Sequence, residues 1–169
     1  MSLTLSTELL SLRTRHPFII ARGGQSDYRT VMVRITDGDG VEGWGEAAAT
    51  RFYGETLETV QAVLPRYAAE LGDDPQQLEA IEARLVAAVR GNAAARVAIS
   101  AALHDLVAKR AGLPLCRYWG LDPAAAPIST FTIGMDTPEM VRRKVLEAAD
   151  YPVLKIKLGG PDDRMLLET

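Results

Sequence analysis

Between residues 130 and 159 the chain runs "TFTIG", then "TPEMVRRKVLEAAD", then "VLKIKLG". The first and last stretches are short and apolar. The middle one carries apolar residues at helical spacing. It opens on Thr137 as N-cap and Pro138 at the first helical position, with Glu139 in the first turn where the helix dipole favours a carboxylate. Strand, helix, strand in this order predicts a parallel crossover unit. Parallel strands need cover on both faces, so this feature restricts the chain more than any other.

The rest of the chain reads differently. Residues 3–12 mix Leu, Ser and Thr in near-alternation, and "YRTVMVRIT" (28–36) alternates Val31, Val33 and Ile35 with Thr30, Met32 and Arg34. "DGDG" (37–40) supplies a hairpin turn and "VEGWGEA" (41–47) the return strand. Three strands joined this way form an antiparallel meander. "HPFIIARGGQSD" (16–27), with its Gly-Gly pair and polar tail, reads as a flexible loop, and "AATRFYGET" (48–56) as a second loop.

Helices follow. Leu57, Val60, Leu64, Tyr67 and Leu71 mark the first, which Pro65 is expected to bend or break. "GDDP" (72–75) ends it, and Pro75 is expected in the first turn of the next, striped by Leu78, Ile81, Leu85 and Val89. A third, Ala-rich helix spans about 93–111 and stops at Gly112, with Pro114 beyond. "GLDPAAAPIS" (120–129) reads as a linker, and "PDDRMLLET" (161–169) begins another helix. Repeats and low-complexity segments are absent from the sequence.

Composition excludes several functions. Apolar residues make up 47% of 169, enough for a core, and the net charge of −3 without a basic run argues against nucleic acid and anionic membranes. Charges interrupt every apolar run well before 18 residues, so no transmembrane helix is expected. "MSLTLSTELLSL" lacks the basic and apolar regions of a signal peptide. A lone cysteine, Cys116, cannot form an internal disulfide, which fits a cytoplasmic location, and it reads as an inert core thiol.

Period-two geometry sends Val153, Lys155 and Lys157 to one face of the last strand and Leu154, Ile156 and Leu158 to the other. Spacing alone favours lysines in solvent. The functional alternative is a shared cavity. There two crowded ammonium groups lower one another's pKa, so that one can serve as a neutral base while the other holds a carboxylate.

Several ordered motifs carry a resemblance that bears on this choice. "KIK" following "TFTIG" and its helix resembles the first barrel strands of the enolase superfamily, in its muconate-lactonising branch. "AISAALHDLVAKRAGLPLCRYWG" (98–120) resembles that branch's signature helix, and "VEGWGEAAATRFYGET" (41–56) the end of its meander and active-site loop. "HPFIIARGGQSDYRTVMVRI" (16–35) resembles most the dipeptide epimerases acting on L-Ala-D/L-Glu and related dipeptides. The resemblance implies an α+β capping domain over residues 1–122 and, over 123–169, the start of a (β/α)8 barrel. It implies a dipeptide or other carboxylate substrate bound between them, Mg2+ as cofactor, and removal of the proton α to a carboxylate to give an enediolate. It makes Lys157 one acid/base and Lys155 its carboxylate-binding neighbour. Thr132 matches a substrate-contacting threonine and Arg22 an arginine facing an acidic second residue. Phe52 and Tyr53 lie on a loop that closes the site. It leaves a homo-oligomer open.

Bland readings stand beside these. Glu46 reads as a structural contact under the loops and His16 as structural. His104 and Asp105, adjacent on a helix, point apart and form no dyad. Asp162 and Asp163 read as helix-dipole capping rather than a metal site. Ser100 stands where the signature usually has an acid, and Trp119 where it has an aliphatic residue. A barrel needs roughly 250 residues, so the chain is expected to be a fragment, inactive alone, with the metal ligands and opposing lysine beyond residue 169. A cycloisomerase or an o-succinylbenzoate-synthase-like enzyme is the alternative within the superfamily. Outside it the alternative is a non-catalytic binding or assembly module, should the chain naturally end at Thr169.

Overall fold

β-Branched residues on alternate positions of one strand set the first core. Val31, Val33 and Ile35 of β2 (Gly23–Thr36) are buried, while Met32 and Arg34 between them are half-exposed. This computed structural model, which describes residues 2–168, gives a three-stranded sheet in the order β1 (Thr4–Ile20), β2, β3 (Glu42–Ala47). β2 and β3 pair antiparallel, Val31 opposite Ala47 and Thr36 opposite Glu42. The expected turn closes them. The Asp37 N–H donates to the Val41 carbonyl at 3.1 Å, and Gly40 takes the positive φ of 81° that the turn demands.

Three helices cover the buried face: α1 (Leu57–Ala68), α2 (Leu78–Ala88) and α3 (Ala93–Arg110). Val60, Leu64 and Tyr67 of α1, Ile81 and Leu85 of α2, and Ile99 and Leu106 of α3 join the strand residues in one core. The closest approach is between α3 and β3. A Cβ on Gly43 would stand 1.9 Å from the Ala102 carbonyl oxygen, and one on Gly45 2.0 Å from that of Ala98. The glycines of "GWG" and the alanines of α3 therefore serve one purpose, which is to let a helix lie directly on a strand's backbone.

Two helical expectations need correction. α1 is not broken at Pro65 and runs through it to Ala68. Pro65 lies on the exposed face with one turn left to run, so the Gln61 carbonyl that loses its partner can turn to water. Pro75 precedes α2 rather than lying in its first turn. It is buried in the connection, where the Asp74 carboxylate accepts from the Gln76 N–H at 2.9 Å, and the helix begins three residues on.

A short helix α4 (Leu115–Tyr118) and a 3-10 turn (Pro123–Ala125) lead into the crossover: β4 (Thr130–Ile133), α5 (Pro138–Glu147), β5 (Val153–Ile156) and α6 (Asp163–Glu168). β4 and β5 are parallel neighbours. Thr137 caps α5 and Pro138 opens it, as its sequence requires. A second, small core of Ile133, Val141, Ala148 and Leu166 forms there, with Val145 and Leu154 packed against it.

The chain divides into two units: residues 1–11 with 29–123, and residues 12–28 with 124–169. Residues 12–28 thus pack with the crossover, and they are not a loose loop. β1 continues to Ile20, the chain turns at Ala21 and Arg22, and β2 starts at Gly23. A two-residue connection makes the pair antiparallel. The glycines build the ribbon and do not loosen it. Gly23 has a φ of 113°, and a Cβ on Gly24 would meet the Ile19 Cα at 2.7 Å. Among the described residues no helix is long and apolar enough to cross a membrane.

Candidate active site

The two-stranded parallel sheet sorts its side chains by face. Ile133 and Leu154 turn to the small core under α5. Alternation therefore sends Thr132 and Lys155 to the opposite face, and these two are register partners across the strands. β5 is shorter than the expected 153–159 and ends at Ile156. Lys157 nonetheless continues the ladder, its N–H donating to the Ile133 carbonyl at 2.9 Å. Lys157 is half-buried and Lys155 exposed. Thr132, Lys155 and Lys157 are thus brought together at the C-terminal ends of the strands. That is the end at which barrels carry their chemistry.

The β1–β2 ribbon docks on the same end. The Met135 N–H, just past β4, donates to the Ile19 carbonyl at 2.9 Å. A Cβ on Gly134 would lie 3.1 Å from the Ile19 nitrogen, and one on Gly159, whose φ is 141°, 2.6 Å from the Ala21 Cβ. Arg22 follows Ala21 in the turn, so the ribbon carries it to the strand ends. The Asp163 carboxylate accepts from the N–H groups of Gly159 and Gly160 at 3.0 Å, and these bonds hold its carboxyl below the usual carboxylate range. Asp163 therefore clamps the loop after β5, a more specific role than the helix-dipole capping expected of it. Sequence reasoning missed Gly134, Gly159 and Asp163 as the seat of the ribbon. The glycines ending "TFTIG" and "KLGG" were the available signal.

Phe52 and Tyr53 belong to the first unit. They form a 3-10 turn with Arg51, capped by Thr50, and are 58% and 83% exposed, so they do not pack against the helices. The Arg51 guanidinium lies 5.8 Å from the Phe52 ring centre. Glu55 fixes the end of this loop by accepting from the Ala93 and Ala94 N–H groups at 2.6 and 2.9 Å, which caps α3.

The remaining candidates have structural places. Glu46 is exposed on β3, opposite Met32, and not covered as expected. His104 and Asp105 form no dyad. Asp105 accepts from the Trp44 N–H at 2.9 Å and from Lys109 Nζ at 2.6 Å, while the His104 ring meets Trp119 edge-on at 5.2 Å. Ser100 and Trp119, the two departures from the signature, line one open groove beside Trp44 and Leu115. Cys116 is half-buried. His16 Nε2 lies 2.6 Å from a Glu147 carboxylate oxygen. Among the described residues there is no group of three or more His, Cys, Asp or Glu side chains placed to hold a metal ion.

Residues 5–120 match the family described as mandelate racemase / muconate lactonizing enzyme, N-terminal domain. The chain belongs to that family. It is 40% identical over 159 residues to an L-Ala-D/L-Glu epimerase of Bacteroides thetaiotaomicron, an alignment covering 94% of this chain and 41% of the relative. A dipeptide epimerase from Cytophaga hutchinsonii, crystallised with Mg and D-Ala-L-Val, superposes with a TM-score of 0.86 at 27% identity, over 99% of this chain and 49% of that one. A dipeptide epimerase from Methylococcus capsulatus, crystallised with Mg and L-Arg-D-Lys, gives a TM-score of 0.86 at 31% identity, over 99% and 49%. The chain thus spans under half the length of each of these proteins.

Proposed function

We propose that this chain supplies the capping domain, through residue 122, and the first barrel strands, from residue 123, of a dipeptide epimerase acting on L-Ala-L-Glu or a related dipeptide. The observation that carries the reading is the shared face of Thr132, Lys155 and Lys157 at the strand ends where the ribbon bearing Arg22 docks. Lys157 moves the proton α to the substrate carboxylate and leaves an enediolate. Lys155 holds the carboxylate beside it, and Thr132 contacts the substrate from the neighbouring strand. Arg22 faces the acidic side chain of the second residue. Phe52 and Tyr53 help close the site. Mg2+ belongs to the proposal for the whole enzyme, by the example of the relatives crystallised with it. The identity to the L-Ala-D/L-Glu epimerase favours a dipeptide over the substrate of a cycloisomerase.

The test is α-proton exchange in D2O with L-Ala-L-Glu, using the protein made from the full gene. Deuterium is expected in the dipeptide, and a chelator is expected to stop its entry until Mg2+ is restored. Lys157→Ala should lower the exchange rate by about 10²- to 10⁴-fold, the usual worth of a general base. A folded protein that exchanges no dipeptide in a panel of acidic, apolar and basic second residues would sink the reading.

A further inference from the structure

The ribbon of residues 12–28 has almost no core of its own. Its own bonds are local. Arg13 pairs with Asp27 at 2.7 Å, but both side chains are more than half exposed, so the pair does little to hold a position. Thr14 Oγ1 donates to the Ser26 carbonyl at 3.2 Å. Neither bond ties the ribbon to the crossover. The tip is tied there by the bond from the Met135 N–H to the Ile19 carbonyl and by the contact of Ala21 with Gly159. Towards its base the ribbon continues as β1 and β2 into the three-stranded sheet, so the stretch between sheet and tip is the part that a further side-chain tie can steady.

Arg15 reaches Glu147 only at 4.0 Å from a side chain 81% exposed, a pair worth little, so the second tie is His16. It lies three residues before Ile19 in an extended strand, roughly 10 Å away at the usual rise. Its Nε2 meets Glu147, the last residue of α5, at 2.6 Å. The two side chains are only 20% and 28% exposed, so water competes less for this bond than for the Arg13 pair. Glu147 also accepts from Arg143 at 2.9 Å. The bonds from His16 and Arg143 hold its carboxyl below the usual carboxylate range. Arg143 matters for a second reason. If His16 is removed, Glu147 keeps a partner on its own helix, and α5 is not left with an unpaired charge.

We propose that His16 is a positioning residue: through Glu147 it fixes the base of the ribbon to α5, so that the docked tip holds Arg22 at the strand ends. Its effect on catalysis rests on the epimerase reading above, whereas its effect on the ribbon does not. A bond to a carboxylate in a partly dried site is worth enough to change the population of the seated ribbon about tenfold.

The experiment uses the full-length protein and compares wild type with His16→Ala, His16→Gln, Glu147→Ala and the double variant His16→Ala with Glu147→Ala. Two quantities are read: amide hydrogen exchange across residues 12–28, and kcat and KM for L-Ala-L-Glu beside L-Ala-L-Ala. His16→Ala and Glu147→Ala are expected to speed exchange in the ribbon and not in α5. Each should raise KM for L-Ala-L-Glu about tenfold and leave kcat within twofold and the L-Ala-L-Ala constants unchanged. The double variant should be no worse than either single one, and His16→Gln, which can still donate to Glu147, should recover much of the loss. If His16→Ala fails to fold, Glu147→Ala carries the same comparison. Ribbon exchange that does not respond overturns the proposal, and so does a loss equal for both dipeptides. A wild type that turns over no dipeptide, with ribbon exchange still responding, is a failure of the epimerase reading and supports the tie itself.

Discussion

Single atoms decide how tightly the first unit can close. Gly43 and Gly45 stand where any side chain would overlap carbonyl oxygens of α3 by more than an ångström. Nothing flexible is available to yield there, because the obstructing atoms are main chain. Gly45→Ala should therefore lower stability by about 3 kcal/mol, at the upper end for overpacking, and the midpoint of urea unfolding measures it. A charge contributes at the same scale. The Asp37 carboxylate is buried, which by itself disfavours ionisation. The bond from Arg110 and those from the Val41 and Asp39 N–H groups outweigh the burial, so its carboxyl stays below the usual range. A lowered carboxyl pKa stabilises the fold above the unfolded value. That stability is lost as pH falls through the folded one. Arg110→Ala removes the largest of these bonds, so its acid-unfolding midpoint should lie at higher pH than that of the wild type.

At the scale of elements the crossover makes a comparable demand on one pair. Lys144 of α5 is only 5% exposed and bonds to Asp136 at 2.8 Å. Removing the carboxylate leaves a buried ammonium without its partner, and Asp136→Ala should cost the second unit about 3 kcal/mol. Loss of amide-exchange protection in β4, α5 and β5, with that of α3 retained, is the expected outcome. The element order itself was legible. Caps, periodicity and the "DGDG" turn marked the strands and helices because these signals are local. The ribbon was not legible, since Gly-Gly flanked by polar residues has the composition of a loop. What makes it a strand pair is the docking of Ile19 and Ala21 on residues more than a hundred positions away. The shared face of Lys155 and Lys157 could be read from alternation. Its pairing with Thr132 needed the register of two strands separated by a helix.

For the molecule as a whole, the second unit leaves large apolar side chains uncovered. Ile128 and Leu146 are 69% and 71% exposed, and Tyr151, Val153, Ile156 and Leu158 are each more than a third exposed. So many large apolar side chains left exposed in one small unit mark places where further structure or a partner belongs. Residues 1–169 produced alone should bind a hydrophobic dye and show no α-proton exchange, whereas the full-length protein should lose the dye binding and gain the exchange. Retained dye binding in the full-length protein would refute this account of the surface.

The ribbon's tip is seated by a carbonyl, an N–H, a methyl group and the absence of a side chain at Gly134 and Gly159. None of those contacts depends on what residue 22 is. The seat is therefore built of main chain and one methyl group. If Arg22 reads the second residue as proposed, replacing it with an acidic residue should shift preference from L-Ala-L-Glu toward a basic dipeptide, and the ratio of kcat/KM for the two dipeptides measures that shift while the same main-chain seat carries the new side chain.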